Sequence, residues 1–251
     1  MIELSVTDLT LVSAILALAG LIHGVFGIGF PMIATPLLAM FMDVQSAVLI
    51  TLFPTIAVNL LSIYKGGGWG ESIGRFWPLA LFAFVGSILG TNLLVVSDPE
   101  PFRLALAGII ILYLNLHRLT RIKMSWVKDH IYLSMLLFGL VAGMFGGSVN
   151  VMVPILMIFT LELGLAMTVM IQTFNLCFLS GKVAQVGVFY GAGFINMELL
   201  STIIIGLVLA VLALRIGMAL RERLNSELYQ KILRKLLLLM AAILIGQFIL
   251  N

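Results

Sequence analysis

Two uncharged stretches, residues 9–42 and 131–161, constrain this chain more than anything else in it. As straight α-helices they would be about 51 and about 46 Å long, against roughly 30 Å for the hydrocarbon core of a bilayer. Neither fits a single crossing, so each must break and turn. Both contain the means. The first reads His23-Gly24-Val25-Phe26-Gly27-Ile28-Gly29-Phe30-Pro31, and the second Ala142-Gly143-Met144-Phe145-Gly146-Gly147-Ser148-Val149-Asn150. Gly and Pro are poor helix residues, and Pro31 also lacks a backbone donor. The apolar residues after each break, containing Pro36 or Pro154, amount to about half a span. The pattern predicts, twice, a long helix, a Gly-rich turn and a short half-helix, the latter starting from Phe30 and from Val149.

The rest of the composition fits the membrane. Of 251 residues, 62% are hydrophobic and 10% charged, where soluble domains carry about a quarter. That excludes an ordinary soluble enzyme and a disordered chain. The net charge of +3 is too small for a surface that tracks nucleic-acid phosphates. The single Cys177 rules out an internal disulfide or a multi-cysteine metal site. His23, His117 and His130 are dispersed without ligand spacing, so no metal is expected. No Gly-x4-Gly-Lys-Ser/Thr motif is present, which excludes ATP-driven transport by this chain alone; no cofactor is expected. Glu3 and Asp8 precede the first apolar run where a secretory signal would be positive, so that run reads as part of the mature protein, with no soluble domain appended.

The two breaks look like a repeat. Gly24-x-Phe26-Gly27 aligns with Gly143-x-Phe145-Gly146 at an offset of 119, as do Asp43 with Glu162 and Ala47 with Ala166. Pro36 and Pro154 fall one position out. Gly86-x-x-x-Gly90 resembles Gly206-x-x-x-Ala210, a small-residue helix contact in each half. The chain divides into membrane repeats at 1–123 and 124–251.

Charge sets their relative orientation, because Lys and Arg gather in cytoplasmic loops. If each half is a returning Gly-break hairpin plus three transmembrane helices, the second half is inverted. With both termini outside, Lys65, Arg75, Arg118, Arg121, Lys123, Lys128 and the cations from Arg215 to Lys235 lie inside, and only Arg103 and Lys182 outside. The rival, four plain crossings per half, divides the same cations evenly. The expectation is an all-α polytopic protein of the cell membrane built from two inverted repeats, with reporters at Lys123 and Glu222 on the same, cytoplasmic, side.

Inverted repeats with broken helices are the pattern of secondary transporters. Irregular backbone at membrane depth is tolerated where it lines a cavity, and half-helix N-termini offer N–H donors and partial positive charge to an anion. The Gly24-Val-Phe-Gly-Ile-Gly29-Phe-Pro-x3-Thr-Pro36 and Gly143-Met-Phe-Gly-Gly-Ser-x5-Pro154 runs resemble those of the TauE/SafE family of sulfite and organosulfonate exporters and related anion permeases. The resemblance covers nearly the whole chain. Ile28 interrupts the first Gly run and Ser148 ends the second, where the family usually has longer runs. It implies membrane transport of a small, often sulfur-containing anion, without fixing which.

Gly27, Gly29, Gly146 and Gly147 are candidates for close backbone approach to the anion; the plainer account is helix packing. Ser148 and Asn150 follow as donors to substrate or as helix caps. Asn59, Gln172, Thr173 and Asn175 lie in apolar spans and line a pathway or join helices; Thr51, Thr55 and Ser62 are weaker, since hydroxyls bond their own helix backbone. Lys65 and Lys182, at span ends, read as gates or as snorkelling cations. His23, Asp43 and Glu162 are possible coupling groups, with hydrogen bonding and N-capping as alternatives. The expected partners are a small anion and the lipid bilayer, with homo-oligomerisation open. Two other functional classes compete: an intramembrane serine hydrolase using Ser148 and His23, and a channel or scaffold without active transport.

Overall fold

The computed structural model describes residues 6–116, 124–221 and 226–250. The boundary expected after Lys123, the cations Arg118, Arg121, Lys123 and Arg223, the reporter position Glu222 and both chain ends lie outside them. All regular structure among the described residues is helical. Four helices are long and apolar enough to cross a bilayer: Thr7–Phe26, Ile73–Val96, Ile131–Val149 and Leu199–Leu220. A fifth crossing arises if Val44–Ile50 and Leu52–Gly66, bent by 45°, form one span. The chain is thus a multi-pass membrane protein.

The same order of elements occurs twice. A long helix, α1 (Val6–Phe26), meets a short one, α2 (Phe30–Ala39), across a break; then come α3 (Val44–Ile50), α4 (Leu52–Gly66), α5 (Ile73–Val96) and α6 (Glu100–Leu114). After the short α7 (Trp126–Asp129), α8 (Ile131–Val149) meets α9 (Val153–Leu163), followed by α10 (Met167–Gly191), α11 (Met197–Leu220) and α12 (Ser226–Leu250). α2 and α9 begin 123 residues apart, at Phe30 and Val153, and so do α3 and α10, at Val44 and Met167. The motif-based offset of 119 is therefore out by about one helical turn. Pro154 corresponds to Pro31, each in the first turn of its short helix, where the missing N–H costs nothing. Asp43 corresponds to Ala166, each the N-cap of the next helix, while Glu162 lies in the last turn of α9.

Glycines decide the packing. Without a hydrophobic drive between helices in lipid, close backbone approach helps to hold them, and small residues, Gly above all, permit it. A Cβ on Gly20 or Gly24 of α1 would overlap the carbonyl oxygen of Ala210 or Leu214 on α11. One on Gly143 or Gly147 of α8 would overlap that of Ala83 or Ser87 on α5. Residue numbers rise together along both contacts, so each pair runs parallel. The small-residue motifs read from the sequence sit at these crossings: Gly86 and Gly90 face Leu140 and Met144, and Ala210 faces Gly20.

Loops and ends return to shared faces. Arg103, at the start of α6, donates to the carbonyls of Ala39 and Met42, the latter at 3.0 Å, and to Gln247 Oε1 at 3.0 Å; Gln247 in turn donates to Met40 O at 2.9 Å. The C-terminal end of α2 is thereby held by α6 and by the far end of α12, with the guanidinium answering the orphan carbonyls there. Glu162, at the end of α9, accepts from Met124 N at 3.1 Å, and the ring of Phe159 of α9 packs at a tilt against that of Phe138 in the first half of α8, their centroids 5.5 Å apart. α8 and α9 therefore form a hairpin.

Candidate functional site

At the first break, Gly27 (φ 80) and Gly29 (φ 103) both adopt left-handed backbone, which costs a Cβ-bearing residue roughly 1–2 kcal/mol. Gly29 is the N-cap of α2 but offers no side chain. His23, one turn before the break, supplies the missing acceptor: Phe30 N–H donates to its Nδ1 at 3.2 Å. A backbone N–H can only donate, so Nδ1 carries no proton and the imidazole is the neutral Nε2–H tautomer, its Nε2 lying 3.0 Å from Ser62 Oγ on α4. His23 is thus a wholly internal helix cap in this structure.

The second break is built differently. Gly146, Gly147 and Ser148 belong to α8, which runs to Val149, so the expectation that these residues form the turn is corrected. Gly143 and Gly147 are needed at the α5 crossing, and Gly146 makes room for the Met152 side chain. Ser148 caps nothing: its hydroxyl donates back to Met144 O at 2.8 Å. The turn falls on Asn150, the one non-Gly residue with positive φ (64°) among those described, and α9 starts at Val153 rather than Val149. Asn tolerates this conformation better than most.

Each break is held by the opposite half. Asn175 of α10 donates to Gly27 O at 2.8 Å. Asn150 donates to Thr35 of α2 at 2.7 Å and to Thr51, at the bend between α3 and α4, at 2.8 Å. Gln172 donates to Gly67 O at 2.7 Å, joining the start of α10 to the end of α4. Thr51 and Thr55 also bond their own helix as expected.

Several of these buried side chains keep polar atoms without a partner. Asn59 is wholly buried and neither of its amide atoms is bonded; Asn150 Oδ1, Asn175 Oδ1, Gln172 Oε1 and Thr173 Oγ1 are likewise unpartnered. Most buried polar groups in folded proteins are satisfied. Three of these exceptions, Asn150, Gln172 and Asn175, are on residues whose amide nitrogens reach across from the second set of helices to the first.

The two lysines part company. Lys65 is exposed at the end of α4, as a snorkelling residue should be. Lys182 is 2% exposed, and the two apolar runs that it appeared to separate are one continuous helix, α10. The span-end placement and its snorkelling account are therefore corrected. Lys182 Nζ donates to Gln185 Oε1, and Gln185 Nε2 donates to Gly147 O at 2.9 Å. The sequence reading passed over Gln185, although it lies one turn from Lys182 on the same helix. Asp43 caps α3, accepting from Ser46 N at 2.8 Å, and Glu162 is held by Met124.

Over residues 12–244 the chain matches the family described as sulfite exporter TauE/SafE. No curated protein and no solved structure matches it.

Proposed function

Because the chain belongs to the TauE/SafE sulfite exporter family, we propose that it carries sulfite, an organosulfonate or a related small sulfur-containing anion across the cell membrane. Transport proceeds by alternating access of two inverted halves around one central site. The observation that carries the reading is the set of contacts at the two breaks: each is joined to the other half through Asn150 or Asn175, both of which keep an unpartnered carbonyl oxygen, and the buried Asn59 amide is wholly unpartnered. Asn59, Asn150, Gln172, Thr173 and Asn175, with backbone at Gly27, Gly29, Gly146 and Gly147 and the Ser148 hydroxyl beside them, line that site. A structure whose two halves move against each other leaves such groups to rebond in turn.

Three contacts support inversion. Gln247, near the end of α12, shares a face with Arg103 and Met40; Glu162 returns to Met124; and Gln172 at the start of α10 meets Gly67 at the end of α4. Four plain crossings per half would put the members of each contact on opposite sides of the membrane. With the cationic loops inside, both termini lie outside.

The hydrolase reading loses its dyad, since Ser148 donates to Met144 O and His23 is engaged by Phe30 and Ser62. Proteoliposome flux tests the proposal. Purified protein should give saturable movement of sulfite, taurine or sulfoacetate in preference to acetate. Flux of no sulfur anion from folded protein would refute it.

A further inference from the structure

We propose that the ammonium of Lys182 is the counter-charge for the transported anion, binding two of its oxygens, and that Gln185 is the residue that positions it. The inference rests on the anion-transport reading above and gives the site its charge.

Lys182 is the sixteenth residue of the 25-residue α10 and is 2% exposed. An ammonium has three N–H donors and no acceptor. One goes to Gln185 Oε1; the other two have no partner among the described residues, and no carboxylate there lies within ion-pair distance. An unpaired charge at membrane depth is costly and marks function when it is present. Gln185 cannot take the remaining donors. Its Nε2 is committed to Gly147 O, with Gly146 O at 3.4 Å, which fixes the amide so that only its oxygen faces the lysine. The arrangement holds the ammonium by one donor and leaves two to offer. An –SO₃ group presents several equivalent oxygens and can accept the two donors on separate atoms, which a single-centre halide cannot do.

The first half supports this assignment. The 123-residue spacing of α3 and α10 carries Asn59 onto Lys182, Ser62 onto Gln185 and His23 onto Gly146. The contacts follow the same register: Ser62 meets His23, and Gln185 meets Gly146. Asn59, with both amide atoms unpartnered, thus occupies the position in the first half that Lys182 occupies in the second. One half contributes a neutral amide and the other a single positive charge, a pairing suited to a monovalent anion.

The test uses full-length protein, both in detergent and in liposomes, with Lys182→Met, Lys182→Arg and Gln185→Glu. Melting temperature is followed against sulfite, methanesulfonate, acetate and chloride, and flux is resolved into KM and Vmax. Sulfite should stabilise the wild type, and Lys182→Met should abolish that response and raise KM by at least roughly ten- to hundredfold, what the first of the two charge-assisted hydrogen bonds alone is worth. Lys182→Arg should retain the response. Gln185→Glu supplies an internal carboxylate, and it should abolish the response although the lysine is intact; a lysine with only a packing role would not behave so. A wild-type anion response or KM in Lys182→Met, or in Gln185→Glu should Lys182→Met not fold, overturns the inference while leaving transport standing. If acetate acts through Lys182 but no sulfur anion does, the lysine assignment stands and the sulfur-anion reading falls; if chloride alone acts through it, both fall. No response of the wild type to any of the four anions removes both.

Discussion

At the first break the chain turns on Gly27 and Gly29, and a histidine from the preceding helix caps the half-helix that follows. At the second it turns on Asn150, whose side chain reaches across to Thr35 and Thr51, while Gly143 and Gly147 of its motif serve the contact between α8 and α5. The half-helices also end differently. α2 is closed by Arg103 and Gln247 from distant helices, whereas α9 is closed locally by Gly164 in left-handed conformation, with Leu165 N–H returning to Thr160 O at 3.1 Å. Similar sequence motifs therefore perform different tasks, and the common backbone plan is met by whichever residue satisfies the local φ and the orphan N–H groups.

Substitutions that separate packing from turning will sharpen this contrast. The largest effect is expected for Gly147→Val, whose Cβ would meet the Ser87 carbonyl, a backbone atom that cannot yield. We expect a loss of about 3 kcal/mol or more, read as a lower melting temperature and yield in detergent. The outwardly similar Gly29→Ala has open space around its Cβ and only its φ of 103° to strain it, so it should cost about 1–2 kcal/mol. Equal losses at the two sites would break the distinction.

Asn150→Ala should cost about 2 kcal/mol, combining two buried hydrogen bonds with a strained φ. Asn150→Gly should recover the backbone part alone, and unfolding curves of the pair divide the two terms. The smallest change is His23→Gln, about 1 kcal/mol, since the amide oxygen can still accept from Phe30 N–H but the link to Ser62 is altered. If His23→Gln melts lower than Asn150→Ala, the cap rather than the cross-half bridge dominates.

Much of the plan was legible in the sequence, because run length against bilayer thickness leaves few options. The long helix, break and short helix were expected twice and occur twice. Asp43 could be read as an N-cap because it precedes an apolar helix at the position where a carboxylate can answer free N–H groups. What misled was glycine. A Gly cluster marks either a turn or a close crossing, and the choice depends on what lies opposite; Ser87 on α5 is not adjacent in sequence to Gly147. The same holds for Lys182. A charge in an apolar run looks like a span boundary until the partner that permits its burial, Gln185 with its two glycine carbonyls, is in view. The orphaned atoms of Asn59 were beyond sequence for a related reason: a polar residue in a span is visible, but whether it finds a partner is a tertiary fact.

The clamp on α2 bears on how the protein is made. Met40 and Gln247 are 207 positions apart, so a ribosome delivers the first half-helix long before the last of its fastenings exists. Until α12 enters the bilayer, Arg103 can answer the carbonyls of Ala39 and Met42, but that of Met40 still awaits Gln247. Nascent chains halted before residue 247 should hold the first hairpin loosely, and the final helix acts as the latch that completes a segment synthesised near the beginning.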